Sequence, residues 1–159
     1  LFFTRLGNAG FVWIALAAIL LPFRRTRRAG CILALALVCD LVLCNFILKP
    51  LVHRVRPCDL LPEVTLLIPH PSDYSFPSGH TASGFAAAFA LWFQNRRLGV
   101  PALVLAAFIG FTRLYLYVHF PTDILGGVAL GLALGACGSL LADKISNKWA
   151  KRSEVKRTV

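Results

Sequence analysis

The chain has 159 residues, 57% of them hydrophobic, with a mean hydropathy of +0.69 and a formal net charge of +10. That is more apolar surface than one soluble domain of this length can bury, which excludes an ordinary soluble enzyme and makes a bilayer the expected solvent. The basic residues cluster between apolar runs, so nucleic acid is not the expected partner; the charge is better read as a membrane-orientation signal.

In chain order, the first apolar run is Ala9–Phe23. It reads as a membrane span and not as a signal-peptide core, because no basic region precedes it and "R-R-T-R-R" follows it. Ala29–Leu48 comes next, then a shorter run, Thr81–Phe93, whose helix is expected to begin at Ser78. Leu98–Val118 and Phe120–Leu141 complete the set, each near the roughly 20 residues that cross a hydrocarbon core. The expected fold is an all-α, polytopic membrane helical bundle with five spans in this chain. The opening "L-F-F-T-R-L-G-N-A-G" reads as the continuation of something apolar, so a leading segment is expected before Leu1. Residues 1–145 form one expected transmembrane domain, and residues 146–159 a basic, disordered tail.

With five spans, the connections alternate sides. One side receives Arg24, Arg25, Arg27, Arg28, Arg96, Arg97, Lys144, Lys148, Lys151, Arg152, Lys156 and Arg157, and the positive-inside rule makes it cytoplasmic. Arg5, Lys49, Arg54, Arg56 and Arg113 are left on the other face, four of them near His53, His80 and His119. Cys31, Cys39, Cys44 and Cys137 fall within spans and read as small hydrophobes. Cys58, in an external loop, is expected to be the one exposed thiol, with no intrachain disulfide.

Three clusters meet the outer surface: "K-P-L-V-H-R-V-R-P" (49–57), "P-S-G-H" (77–80) and "T-R-L-Y-L-Y-V-H-F-P-T-D" (112–123). Each has a structural reading. Lys49 and Arg56 can snorkel at a span end, Ser78 can cap a helix, and Asp123, two residues after Pro121, can favour a helix dipole. Taken together they supply Lys49, Arg56 and Arg113 as cations, Ser78 with the amides of Gly79 and His80 as neutral donors, and two imidazoles with one carboxylate. That set suits a phosphate. Spacing alone does not rank the two histidines, although His119 has an Asp at i+4.

The order Lys-x6-Arg-Pro, Pro-Ser-Gly-His, Arg-x5-His-x3-Asp resembles the three-part signature of the type 2 phosphatidic acid phosphatase superfamily. Thr112 stands where the family usually has Ser, and retains the hydroxyl. The resemblance implies a metal-independent lipid phosphatase with no cofactor, and six spans in full-length members. His119 would be the nucleophile that forms a phosphohistidine, Asp123 would orient it, and His80 would be the general acid and later the base for water. Lys49, Arg56, Ser78, Gly79 and Arg113 would hold the phosphate. Implied substrates are phosphatidylglycerol phosphate, phosphatidic acid and isoprenoid diphosphates such as undecaprenyl diphosphate, with the site on the outer face of the cell membrane.

The remaining acids outside, Asp59, Glu63 and Asp73, lie in a loop that reads as mobile, and no metal site is expected from them. His53 and Arg54, inside the first motif, are open between a leaving-group contact and a solvated role. His70 belongs to a Pro-rich turn. Asp40, nine residues before Lys49 on the same span, should face the bundle, in a structural or a functional role. A transport protein or a non-catalytic lipid-phosphate binder are the rival readings; the first would line several spans with polar residues, and the second would lack His80 or His119. Deleting Ser146–Val159 is expected to leave turnover of correctly inserted protein nearly unchanged when released phosphate is measured.

Overall fold

A computed structural model describes residues 10–61 and 63–155, with side chains as far as Lys144. Arg5, the start of the first expected span and the basic side chains from Lys148 to Arg157 lie outside what is described. The helices are α1 (Phe11–Leu20), α2 (Arg27–Asp40), a π-helical stretch (Leu41–Leu48) continuing into α3 (Lys49–Val52), α4 (Pro57–Leu60), α5 (Gly79–Gln94), α6 (Arg96–Tyr115) and α7 (Pro121–Val155).

Three helical stretches, Arg27–Leu60, Arg96–Tyr115 and Pro121–Lys144, are long and apolar enough to cross a membrane. The apolar α1 has 10 residues and α5 has 16. Helix α5 is the centre of the bundle and packs on α2, α6 and α7. Because neighbours enclose it, its small residues are not confined to one stripe: Ala82, Gly84, Ala86, Ala87, Ala88 and Ala90 are all buried. Trp13 and Ala17 of α1, Leu33 of α2, and Ala102, Ala106 and Ile109 of α6 close the core around it. Large apolar side chains instead face outwards, among them Phe11, Phe46, Val104, Phe111 and Leu125, while Asp40, Lys49, Arg56, Arg113, His119 and Asp123 are buried. Apolar outside and charged inside is the arrangement that lipid, not water, stabilises.

Two expectations are corrected. The chain does not leave its helix at Ser146, since α7 continues to Val155; no Pro or Gly interrupts the segment after Lys144. Cys58 is not an exposed thiol. It is 5% exposed, packed by α4 against Leu116 and Val118 of the turn after α6, whereas Cys31 and Cys137 are exposed and all five cysteines are free.

The approach of α5 to α7 depends on three glycines one turn apart. A Cβ at Gly127 would lie 2.7 Å from the Ser78 carbonyl oxygen, one at Gly131 2.5 Å from that of Ala82, and one at Gly135 2.8 Å from that of Ala86. These contacts are with backbone, so no side-chain rotation relieves them, and small residues here let two helices touch. Gly131→Ala should therefore cost about 1–3 kcal/mol, read as a lower Tm in detergent. Gly138→Ala is the control: its Cβ would find only ordinary contact, 3.5 Å from Ile32, and should be neutral or stabilising.

Candidate active site

The first motif folds back at the end of the long α2–α3 helix. Lys49 is 6% exposed there, and His53, in the left-handed region at φ 51°, donates its N–H to the Lys49 carbonyl and turns the chain away. Pro57 restricts the residue before it to extended backbone, and Arg56 sits at φ −80°, ψ 153°. From that position its buried guanidinium reaches two other segments, the loop at Asp73 and the turn at Val118 and His119. Nε donates to the Asp73 carbonyl (2.8 Å), Nη2 to Asp73 Oδ1 (2.7 Å), and Nη1 to the Val118 carbonyl (2.7 Å) and His119 Nε2 (3.2 Å).

The second motif opens α5. Ser78 occupies the N-cap position in extended conformation but makes no capping bond with its side chain. Its hydroxyl instead accepts from Thr81 Oγ1 at 2.9 Å, and its N–H donates to the Asp123 carbonyl at 3.1 Å. Helix starts of this kind leave N–H groups and the positive dipole end available to an anion. A Cβ on Gly79 would lie 3.7 Å from Lys49 Nζ, so the helix start and the first motif's amine share one space.

The third motif joins α6 to α7. Arg113, in the last turn of α6, is 2% exposed, and its Nε has no hydrogen-bond partner among the described residues. Tyr117 takes φ 57°, a conformation costly for a side chain of its size, and this reverses the chain so that Val118 and His119 turn inward. Asp123, completely buried in the first turn of α7, uses Oδ2 to accept from the Phe120 amide (2.8 Å) and the Ser75 hydroxyl, and Oδ1 to accept from Arg54 Nη1 (2.7 Å). His119 Nδ1 lies 3.5 Å from Oδ2. Both readings of Asp123 therefore hold at once: it caps its helix and it faces the imidazole.

Arginine only donates, so its contact at Nε2 makes that nitrogen the acceptor and leaves the proton on Nδ1, facing Asp123. Burial lowers the pKa of His119 below the ordinary imidazole value; the Asp123 contact opposes this, and the charges of Arg56 and Lys49 add to it. Burial thus favours the neutral imidazole, with Nε2 turned to Arg56 at the cavity wall.

One cavity of about 920 Å³ collects Lys49, Arg56, Gly79, His80, Arg113 and His119. Ser78 and Asp123 stand behind its wall, each fully buried. His53 and Arg54 are not among its lining residues. His53 sets its ring against Tyr74 at 4.5 Å, while Arg54 grips Asp123 and Thr122 and lies 4.2 Å over the Phe120 ring. His70 is exposed and pairs with Asp59 at 2.9 Å; with Cys58 they form a group of ligand-type atoms that does not line the cavity.

Three residues take positions that the sequence did not assign them. Ser75 and Arg54 hold Asp123, and Asp73, assigned above to a mobile loop, pairs with both Lys49 and Arg56 inside the cavity. Partial burial raises the Asp73 pKa, but Lys49 and Arg56 outweigh it and bring it down to about 2, so the carboxylate is ionised and pairs with two of the cavity's cations. Its position seven residues before His80, in the run leading into Pro-Ser-Gly-His, was the available signal.

Comparison with known proteins agrees with this geometry. A model of the PAP2 superfamily matches residues 28–146. The chain is 34% identical to an undecaprenyl-diphosphatase of Sulfolobus acidocaldarius over 76% of this chain and 59% of the relative. It is 30% identical to an undecaprenyl-diphosphatase of Bacillus subtilis over 84% of this chain and 68% of the relative. The matched region thus spans 59 to 68% of the length of these two relatives. Among solved structures, a transmembrane PAP2-type phosphatidylglycerolphosphate phosphatase from Bacillus subtilis is 31% identical, with a TM-score of 0.66 over 92% of this chain and 74% of its own. Aquifex aeolicus LpxE has the same identity and TM-score over 86% of this chain and 80% of its own. With three motifs converging on one cavity inside a helical bundle that wears its apolar residues outside, the chain is a membrane-integral member of the PAP2 superfamily.

Proposed function

We propose that this chain is a membrane lipid phosphatase that hydrolyses a phosphate monoester or diphosphate of a lipid through a phosphohistidine. The candidate substrates are undecaprenyl diphosphate and the phosphatidylglycerol phosphate and phosphatidic acid class. The observation that carries this reading is the environment of His119: Nδ1 faces a buried carboxylate, and Nε2 faces the cation Arg56 at the wall of a cavity that also contains Lys49 and Arg113. A non-catalytic binder would need the cations but not an imidazole held in this tautomer.

In the proposed sequence, Lys49, Arg56 and Arg113 take the non-bridging oxygens as the phosphate displaces Asp73, and Arg56 moves its Nη1 from His119 to an oxygen. The freed lone pair of Nε2 attacks phosphorus. The P–N bond forms as the P–O bond to the lipid breaks, and His80, in its protonated form when the phosphate dianion is bound, gives its proton to the leaving oxygen and becomes neutral. Asp123 holds the positive charge on the imidazole. His80 then takes a proton from water, whose oxygen attacks phosphorus and releases inorganic phosphate and neutral His119. Three fixed cations provide the charge neutralisation, and no step calls for a cofactor.

For orientation, Arg28 pairs with Asp143, which joins the start of α2 to a part of α7 about 20 residues from the site. The Arg24–Arg28 cluster and Lys144 therefore mark the end of the bundle away from the phosphate clamp, and the positive-inside rule puts that end, with the basic tail of residues 146–159, in the cytoplasm. The cavity then faces outside, and residues 1–145 form the phosphatase domain in the cell membrane.

Acid-quenched labelling with a radioactive phosphoryl donor, followed by peptide mapping, should place the label on His119 and should succeed in excess chelator. Label on His80, or a strict divalent-ion requirement, would overturn the assignment. His119→Ala should lose about 10⁴-fold or more of kcat/KM, His80→Ala about 10²–10⁴-fold, and Asp123→Asn should fall short of the His119 loss. Asp73→Asn should make phosphate and vanadate bind about 3–10-fold more tightly, because the competing carboxylate charge is gone from a half-exposed pair of contacts; weaker inhibition would mean that Asp73 builds the clamp instead of competing for it.

A further inference from the structure

The cavity continues below the phosphate clamp. Towards the membrane interior it runs between α1 and α2 along Leu41, Val38, Leu37 and Ala34, with Ile14 and Ala17 opposite. Between the cations and this apolar end lie three polar residues, Asn45, Ser83 and Asp40, all lining the same space. Ser83 is internally satisfied, since its hydroxyl donates to the Gly79 carbonyl at 2.9 Å. Asp40 is not. It is 4% exposed, and its Oδ1 has no hydrogen-bond partner among the described residues. The nearby cation of the cavity, Lys49, is paired with Asp73.

An acceptor left unsatisfied at membrane depth is costly, and a purely structural acid would be expected to find a donor within the bundle. The helix is also shaped to expose it. The π-helical stretch begins at Leu41, directly after Asp40, and its wider turn keeps Asp40, Leu41, Asn45 and Lys49 on the cavity side at spacings of four and five residues. Asn45 lies level with the start of α5, where its Oδ1 is 3.6 Å from the position of a Gly79 Cβ. Asp40 is five residues deeper, at most about 7 Å along the axis. That distance is the length of a three-carbon polyol or a sugar ring.

We propose that Asp40 and Asn45 form a hydroxyl-binding subsite, and that the preferred substrate carries a polyol or sugar between its scissile phosphate and its lipid tail. The inference rests on the phosphatase reading and narrows it. A hydroxyl can donate to Asp40 Oδ1 while the phosphate sits in the clamp and the tail follows the apolar end. A prenyl diphosphate instead brings the oxygens of its second phosphate to the same depth, acceptor against acceptor, with nothing to donate.

The test uses the full chain in mixed micelles with three lipids: phosphatidylglycerol phosphate, whose scissile phosphate is on a glycerol with a free hydroxyl, and phosphatidic acid and undecaprenyl diphosphate, which have none. Wild-type kcat/KM should be highest for the first. In Asp40→Leu, the ratio of kcat/KM for the hydroxylated lipid to that for each of the others should fall at least tenfold, and Asp40→Asn, which keeps an acceptor, should fall less. Because Oδ1 has no partner to lose among the described residues, Asp40→Leu should also keep or raise the Tm of the substrate-free protein. Hydrolysis with no preference for the hydroxylated lipid, an equal loss on all three, or a large drop in Tm would overturn the subsite and leave the phosphatase reading intact. Absence of phosphate release from every lipid by the wild type, with no phosphohistidine, would overturn the phosphatase reading itself.

Discussion

The guanidinium of Arg56 ties the site together. It is a buried cation in a protein with an apolar exterior, and its contacts lie on two other parts of the chain: the Asp73 loop, and the turn after α6 that carries the Val118 carbonyl and the His119 ring. A buried guanidinium must satisfy its donors or bear a large desolvation cost, so the first motif holds those two segments at a fixed distance from each other. Pro57 makes this possible by fixing the extended backbone from which the side chain turns inwards. The tautomer of His119, on which the proposed chemistry depends, follows from the same contact.

Charge is balanced by a short list of acids. Asp123 is held by Arg54, Ser75 and the Phe120 amide and faces the imidazole; Asp73 faces Lys49 and Arg56. The two carboxylates differ in exposure. Asp123 is fully buried and belongs to the wall, whereas the side chain of Asp73 is half exposed and can be displaced by a stronger anion. Low dielectric makes both contacts count for more than they would in water, and the anion with more oxygens and more charge should win the clamp.

Tight helix packing supports this from below. The glycines of α7 let α5 approach until backbone meets backbone, and that approach puts the Ser78 N–H on the Asp123 carbonyl, linking the second motif to the third. The position of the α5 start is thus set by residues with no side chain, the first of them, Gly127, directly against the Ser78 carbonyl and the others one and two turns further along α7.

Much was legible in the chain alone. Apolar runs of spanning length, basic residues gathered between them and three ordered motifs pointed to an all-helical membrane protein with Lys49, Arg56, His80, Arg113 and His119 around one anion, because hydropathy and motif order are properties of consecutive residues. Basic composition suggests disorder from Ser146, but no helix breaker stands in the segment and the helix continues to Val155. Cys58 was misread as exposed because a loop's position in sequence does not show what packs over it. The contacts of Asp73, Ser75 and Arg54 were not legible, because each acts through a partner 17 to 69 residues away, and such pairings leave no period or spacing to detect. The orphaned oxygen of Asp40 belongs to the same class: an acid on a span was visible, but whether any donor reached it depended on how four helices closed around a cavity, and only the packed bundle could decide that.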